Sequence, residues 1–193
     1  MDLTEGTDKE KKDRAKKMML WFGIASLIMG FAGWTSAYIV SSSRKDWLKD
    51  FEIPTAFLYS TLIIIISSGT YILAKKAIKS NNSSLGTKWL FITLLLGIAF
   101  ILIQFSGFSQ LISQGYYFTG PTSNITMSYI FLIAAVHIVH VIAGLISLLV
   151  VLYNNLANKS SDKNMLGVEL GATFWHFLDL LWVYLILFFY FFK

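Results

Sequence analysis

Cysteine is absent from the chain. That excludes disulfides and thiolate-ligated metals or clusters, and it leaves the redox compartment undetermined. Charge is scarce: Asp, Glu, Lys and Arg make up 14% of the 193 residues, against about 25% in soluble globular domains. No loop carries a nucleophile beside a base or a glycine-rich phosphate cradle, so hydrolase and transferase chemistry has no support. The net charge of +5 is no nucleic-acid signal, because the basic residues flank apolar segments, where membrane orientation accounts for them.

What the chain has in abundance is hydrophobic residues, 55% of the total. They come in blocks of about 20 or more, the length that crosses a hydrocarbon core of roughly 30 Å. The expected fold is therefore all-α: a polytopic membrane protein of five transmembrane helices. The predicted spans are 18–40, 54–74, 89–108, 125–152 and 170–192, which together make residues 18–193 one membrane domain. Residues 1–17 read as a basic cytoplasmic tail, disordered or interfacial. Its basic region leads into a span too long for a signal-peptide core, with more spans following. Twelve of the sixteen Lys and Arg fall on the side of the N-terminus and of the loops 75–88 and 153–169. The positive-inside rule then predicts a cytoplasmic N-terminus and a C-terminus outside. Trp21, Trp47 and Trp89 lie near span ends, as belt residues do.

Each span has its own chemistry. In the first, Ser26, Gly30, Gly33 and Ala37 form a stripe of small residues that lets another helix approach closely. Pro54 is placed for the first turn of the second, whose polar residues are hydroxyls only: Ser60, Thr61, Ser67 and Ser68. The third holds one strongly polar group, Gln104. In the fourth, His137, His140, Gly144 and Ser147 share a face at spacings of 3, 4 and 3. The fifth has His176 and Asp179 on one face, with Trp175, Asp179 and Trp182 at i, i+4 and i+7.

An ionised Asp at the centre of a bilayer costs roughly 2.5–3.5 kcal/mol, so Asp179 is expected to turn inward and find a partner. The fourth and fifth spans are antiparallel neighbours, and a contact between Asp179 and a histidine of the fourth is the natural expectation. Three functional alternatives stand beside that packing reading. His140 and His176 are the pair to test for bis-imidazole haem ligation. His137, His140 and His176 are the set to test for zinc or copper. Transport by proton relay is the third, although the first three spans carry no charge and no inverted repeat is visible. The packing alternative has His137, His140, His176, Asp179 and Gln104 as buried hydrogen-bond clusters that fix how the helices pack. The residues alone lead as far as a five-helix membrane protein acting as a subunit of something larger.

Several motifs carry a resemblance. Trp175-His176-Phe177, Asp179 and Trp182 resemble the last helix of subunit III of haem–copper cytochrome c oxidases, which reads Tyr-Trp-His-Phe-Val-Asp-x-x-Trp. His137-Ile138-Val139-His140-Val141 with Gly144 is similar to that family's His-Gly-x-His-Val-x-x-Gly. Ser26, Met29, Phe31-Ala32-Gly33 resemble its Ser-Glu-x-Met-x-Phe-Ala-Gly helix. Ser60-Thr61 with Ser67-Ser68, and Gly97, Phe100 and Gln104, fit the two helices between, in order.

The resemblance implies a non-catalytic subunit that binds no metal itself, packs on subunits I and II, binds phospholipid and helps keep the core active. Haems and copper belong to those partners, which reduce oxygen with electrons from cytochrome c and pump protons. A bacterial cytoplasmic membrane and, in some assemblies, a larger respiratory supercomplex go with it. A homologous five-helix subunit associated with nitric oxide reductase is the alternative. Two departures stand out. The chain looks like a five-helix form without the first two helices of longer members, and Leu27 replaces the family's buried glutamate. Gly107 likewise stands where many members place an acid after the glutamine.

Overall fold

The computed structural model describes residues 7–49, 51–157 and 165–192. They form five helices: α1 (Asp8–Ser41), α2 (Thr55–Lys79), α3 (Ser83–Ser113), α4 (Ile125–Ala157) and α5 (Met165–Phe191). All five are long and apolar enough to cross a membrane. There is no strand among the described residues. Helices α2, α3, α4 and α5 form a closed ring of neighbours, while α1 touches only α4 and α5 from outside. Helix α5 meets α1, α2 and α4, and α4 meets α1, α3 and α5; the most apolar stretch of α5 is the most buried of the five.

The helices outrun the predicted spans at most ends, for local reasons. Helix α1 starts at Asp8, so residues 8–17 are helical rather than a disordered tail; residues 1–6 lie outside the described part. A capping box begins it: Glu10 N donates to Thr7 Oγ1 (3.4 Å) and Thr7 N to Glu10 Oε2 (2.8 Å). Two N-terminal backbone donors are satisfied reciprocally. These bonds from Thr7 hold the Glu10 carboxyl below its ordinary range.

Pro54 stands one residue before α2, as its cap, with its carbonyl accepting from Phe57 N. Helices α2 and α3 are joined by a tight turn in which Asn81 takes φ 62°, a left-handed conformation that Asn tolerates. Asn82 then caps α3 by accepting from Leu85 N. Of the belt candidates, Trp21 is exposed, Trp89 is half-buried and Trp47 is buried. Trp47 folds edge-on against Tyr38, ring centroids 4.7 Å apart, and closes one end of the bundle instead of facing lipid.

Ser26, Gly30 and Gly33 lie exposed on the open side of α1. A Cβ added at Gly30 or Gly33 would meet nothing within 4 Å. Helix α1 uses the other face, with Ile24, Phe31, Thr35 and Tyr38 buried against α4 and α5. Leu27 is half-buried between these two faces.

Candidate functional site

Two tryptophans of α5 organise the interior. Trp175 is 1% exposed, and its indole reaches both α3 and α4. A Cβ at Gly97 would sit 2.7 Å from Trp175 Cη2, and one at Gly144 3.3 Å from Trp175 Cε3. A side chain at Gly97 would force the ring to shift, and one at Gly144 would press on it tightly. The indole N–H reaches the third neighbour, donating to Ser67 Oγ on α2 at 3.2 Å. Two turns on, Trp182 is fully buried and donates to Thr61 Oγ1 of α2 at 3.1 Å. Its ring stacks on His137 at 5.0 Å and 26°, and meets Phe57 and Phe100 edge-on at 5.7 and 5.5 Å.

Helix α2 receives the polar contacts of its neighbours. Gln104 is buried and donates through Nε2 to Ser60 Oγ at 3.1 Å. His176 Nδ1 is paired with Ser68 Oγ at 2.6 Å, and the Thr70 and Thr93 hydroxyls are 2.8 Å apart. Most of these hydroxyls also bond back to their own helix, as Ser60 does to Phe57 O and Thr70 to Ser67 O. Ser60-Thr61 and Ser67-Ser68 are seven residues apart and so lie on one face. That spacing was the sequence signal for a receiving helix, and reading each hydroxyl separately overlooks it.

The structure does not bring the expected five residues into one cluster. His137 is buried among Phe31, Phe100 and Trp182, and neither of its ring nitrogens has a hydrogen-bond partner. His140, half-buried, pairs Nδ1 with the Val136 carbonyl of its own helix (2.7 Å) and meets Phe31 edge-on. Asp179 is 4% exposed with both carboxyl oxygens unpartnered.

The expected contact between Asp179 and a histidine of α4 is thus replaced by a different arrangement. At 100° per residue, Leu178 and Asp179 diverge, and α4 packs on the Leu178 side, where Leu178 Cδ1 would lie 2.9 Å from a Cβ at Gly144. Asp179 lies on the side of Ser68 of α2 but forms no hydrogen bond with it. His140 and His176 are likewise divided, one against Phe31 of α1 and the other against Ser68 and Tyr71 of α2. They do not converge as a haem pair. Among the described residues no three His, Asp or Glu side chains come together to hold a metal ion.

One polar tie lies outside all five predicted spans. Asn155 is 3% exposed near the end of α4, in a stretch read from the sequence as loop. It donates to Thr87 Oγ1 at 2.8 Å and accepts from Ser83 Oγ at 3.3 Å, tying α4 to the start of α3.

Fold and interior together define a class: an integral membrane bundle whose buried polar groups join helix to helix. A family model for cytochrome c oxidase subunit III matches residues 32–193. Among similar proteins is cytochrome c oxidase subunit 3 of Spodoptera frugiperda, 36% identical over 138 residues, covering 70% of this chain and 86% of that one. Cytochrome bo(3) ubiquinol oxidase subunit 3 of Pseudomonas aeruginosa is 34% identical over 133 residues, 69% of this chain and 62% of its own length. The ubiquinol oxidase subunit 3 of Buchnera aphidicola subsp. Schizaphis graminum is 30% identical over 181 residues, 91% and 93% of the two chains. The chain therefore spans less than two thirds of the Pseudomonas protein but nearly all of the Buchnera one. It belongs to the cytochrome c oxidase subunit III family.

Proposed function

We propose that the chain is the non-catalytic subunit III of a proton-pumping haem–copper terminal oxidase in a bacterial cytoplasmic membrane, with its N-terminus in the cytoplasm. The observation that carries this reading is the family match over residues 32–193, joined to an interior whose polar side chains serve helix packing. Trp175, Trp182, His176 and Gln104 all spend their hydrogen bonds on hydroxyls of α2. Haems and copper reside in subunits I and II, and this chain stabilises them with the help of bound phospholipid. Residues 18–193 act as one membrane domain, with Asp179 and the histidines as packing groups.

A second reading concerns the donor. Cytochrome c is the donor that the family's name suggests, but the Pseudomonas and Buchnera relatives are named as ubiquinol oxidase subunits, which supports quinol for this complex as well. Gentle purification of the tagged chain from its native membrane tests both. Co-purifying subunits I and II with a haem–copper spectrum are expected, and oxidation of cytochrome c or of quinol by that preparation separates the donors. A nitric oxide reductase in the same fraction, without an oxidase, would overturn the assignment.

A further inference from the structure

Asp179 is a buried titratable group to which the packing of the helices gives no hydrogen bond. Both carboxyl oxygens are enclosed and unpartnered, and no ion pair among the described residues includes it. An ionised carboxylate at the centre of a bilayer costs roughly 2.5–3.5 kcal/mol, and no partner offsets that cost here, so the acid rests in its neutral, proton-bearing form. A proton sealed in apolar surroundings exchanges only where polar groups lead out to water. Ser68 of α2 is the polar side chain on that side of Asp179, and its Oγ is 2.6 Å from Nδ1 of His176. His176 precedes Asp179 by three residues and shares its side of α5.

The imidazole is half-buried. Nδ1 is its inner nitrogen, spent on Ser68, and Nε2 is not among the enclosed unpartnered atoms of the bundle. Tyr71 of α2 meets the ring edge-on at 5.9 Å, with its own hydroxyl buried and unpartnered. Lys75, two turns beyond Ser68 on α2, is the cation that acts on His176. On α5 itself Glu169 lies two turns earlier and is paired with Lys17 of α1. From α4 the titratable neighbour is His137, stacked against Trp182. Polar groups thus run inward in one line, from the half-buried imidazole through the Ser68 hydroxyl to the buried carboxyl. The line ends there: Trp182 spends its indole N–H on Thr61, and His137 behind it has no hydrogen-bond partner.

We infer that Ser68 and His176 form a proton-exchange relay through which the buried carboxyl of Asp179 gains and loses its proton. A rotation of the carboxyl closes its gap to Ser68. The Asp179 O–H bond then breaks as Ser68 Oγ takes the proton, Ser68 passes its own proton to Nδ1 of His176, and Nε2 releases one to water. One proton leaves, no electrons move, and the carboxylate keeps the Ser68 hydroxyl as its donor. The return runs the same steps backwards. The charge of a buried acid therefore sets the tautomer of a half-buried imidazole: Nε2–H while Asp179 is neutral, Nδ1–H when it is ionised. Because the line stops at Asp179, the relay exchanges a proton without conducting one across the membrane. It does not rest on the proposed assembly with partner subunits.

The test uses the purified full chain in nanodiscs and follows its carboxyl C=O band by infrared spectroscopy on transfer to deuterated water. At neutral pH the unmodified protein is expected to show a protonated-carboxyl band that Asp179→Asn removes. Its absence would overturn the inference, since an ionised Asp179 has no proton to exchange. Ser68→Ala and His176→Phe are expected to slow the deuterium shift of that band at least about tenfold, while Ser68→Thr, which keeps the hydroxyl, preserves the rate. Thr61→Ala removes a hydroxyl of the same helix outside the relay and is expected to leave the rate unchanged. An unchanged or faster rate in Ser68→Ala and His176→Phe would mean exchange by local opening of the bundle and would contradict a relay. Nitrogen NMR of His176 gives a readout without any variant: with Asp179 neutral the proton is expected on Nε2, and an Nδ1–H tautomer under the same conditions would overturn the inference.

Discussion

Replacing Trp175 by alanine removes a buried indole from the point where α2, α3, α4 and α5 meet. Two contributions are lost, and they differ in size. The hydrogen bond to Ser67 Oγ, 3.2 Å long, is worth about 0.6 kcal/mol if it behaves as side-chain bonds between membrane helices do on average. The packing loss is larger, because Gly97 and Gly144 leave a slot shaped for this ring and no smaller side chain fills it. Truncating a buried Trp or Phe to Ala costs about 3–5 kcal/mol, mostly through the cavity left behind. Ser67→Ala removes the acceptor alone and is expected to cost about 0.6 kcal/mol. Reversible unfolding of the purified chain in bicelles, followed by steric trapping or by denaturant titration, gives both values on one scale. Trp175→Ala should be destabilising by several times the amount of Ser67→Ala. If the two variants lost equal stability, the indole would be serving as a hydrogen-bond donor only, and the account of α5 as the helix around which the others pack would fail.

Other perturbations have equally definite outcomes. Gly97→Leu places a side chain where even a Cβ lies 2.7 Å from Trp175 and 2.8 Å from Leu145, so α3 must move away from α5; overpacking of this kind costs about 1–3 kcal/mol, visible in the same bicelle titration. Asn155→Leu abolishes the ties to Ser83 and Thr87 and leaves their hydroxyls with intrahelical partners at best; faster amide exchange over the first two turns of α3 is the expected result, with the rest of the helix unaffected. At the start of α1, Glu10 has its carboxyl lowered by the bonds from Thr7. The stabilisation is therefore present above the carboxyl's unfolded value and is lost as pH falls through the lowered folded one. Protection factors for the amides of residues 8–12 should drop on acidification, and Thr7→Ala should remove that pH dependence.

The bundle was legible in the sequence because a hydrocarbon core sets a length that no other constraint imitates, and each of the five spans lies within or within one residue of its helix. The ends were not, because polar turns of a helix carry no apolar periodicity: the start of α1 is written instead in the Thr7–Glu10 capping pair, and Asn155 sits beyond the apolar run of α4. Trp175 and Trp182 could be picked out as packing residues from their stripe on α5. The surroundings of Asp179 could not, since residues one position apart on a helix face directions 100° apart. Which of them meets α4 is decided by how the helices are arranged around α5. Leu178 took that place, and Asp179 faces α2. The open, glycine-bearing side of α1 shows the same limit: a stripe of small residues says that close approach is possible, not which face the bundle will use.

The claim that matters most is that the polar interior of this chain holds helices together and takes no direct part in oxidase chemistry. Asp179→Asn in the assembled complex tests it most directly, because the change removes the titratable proton at the one buried carboxyl group among the described residues while keeping its shape. Oxygen consumption and proton release are followed together from the first turnovers until the enzyme inactivates. The account predicts an initial rate and a proton-to-electron ratio equal to those of the unmodified complex, with any change confined to assembly or to the lifetime before inactivation. A variant that assembles fully yet loses proton release in its first turnovers would contradict it.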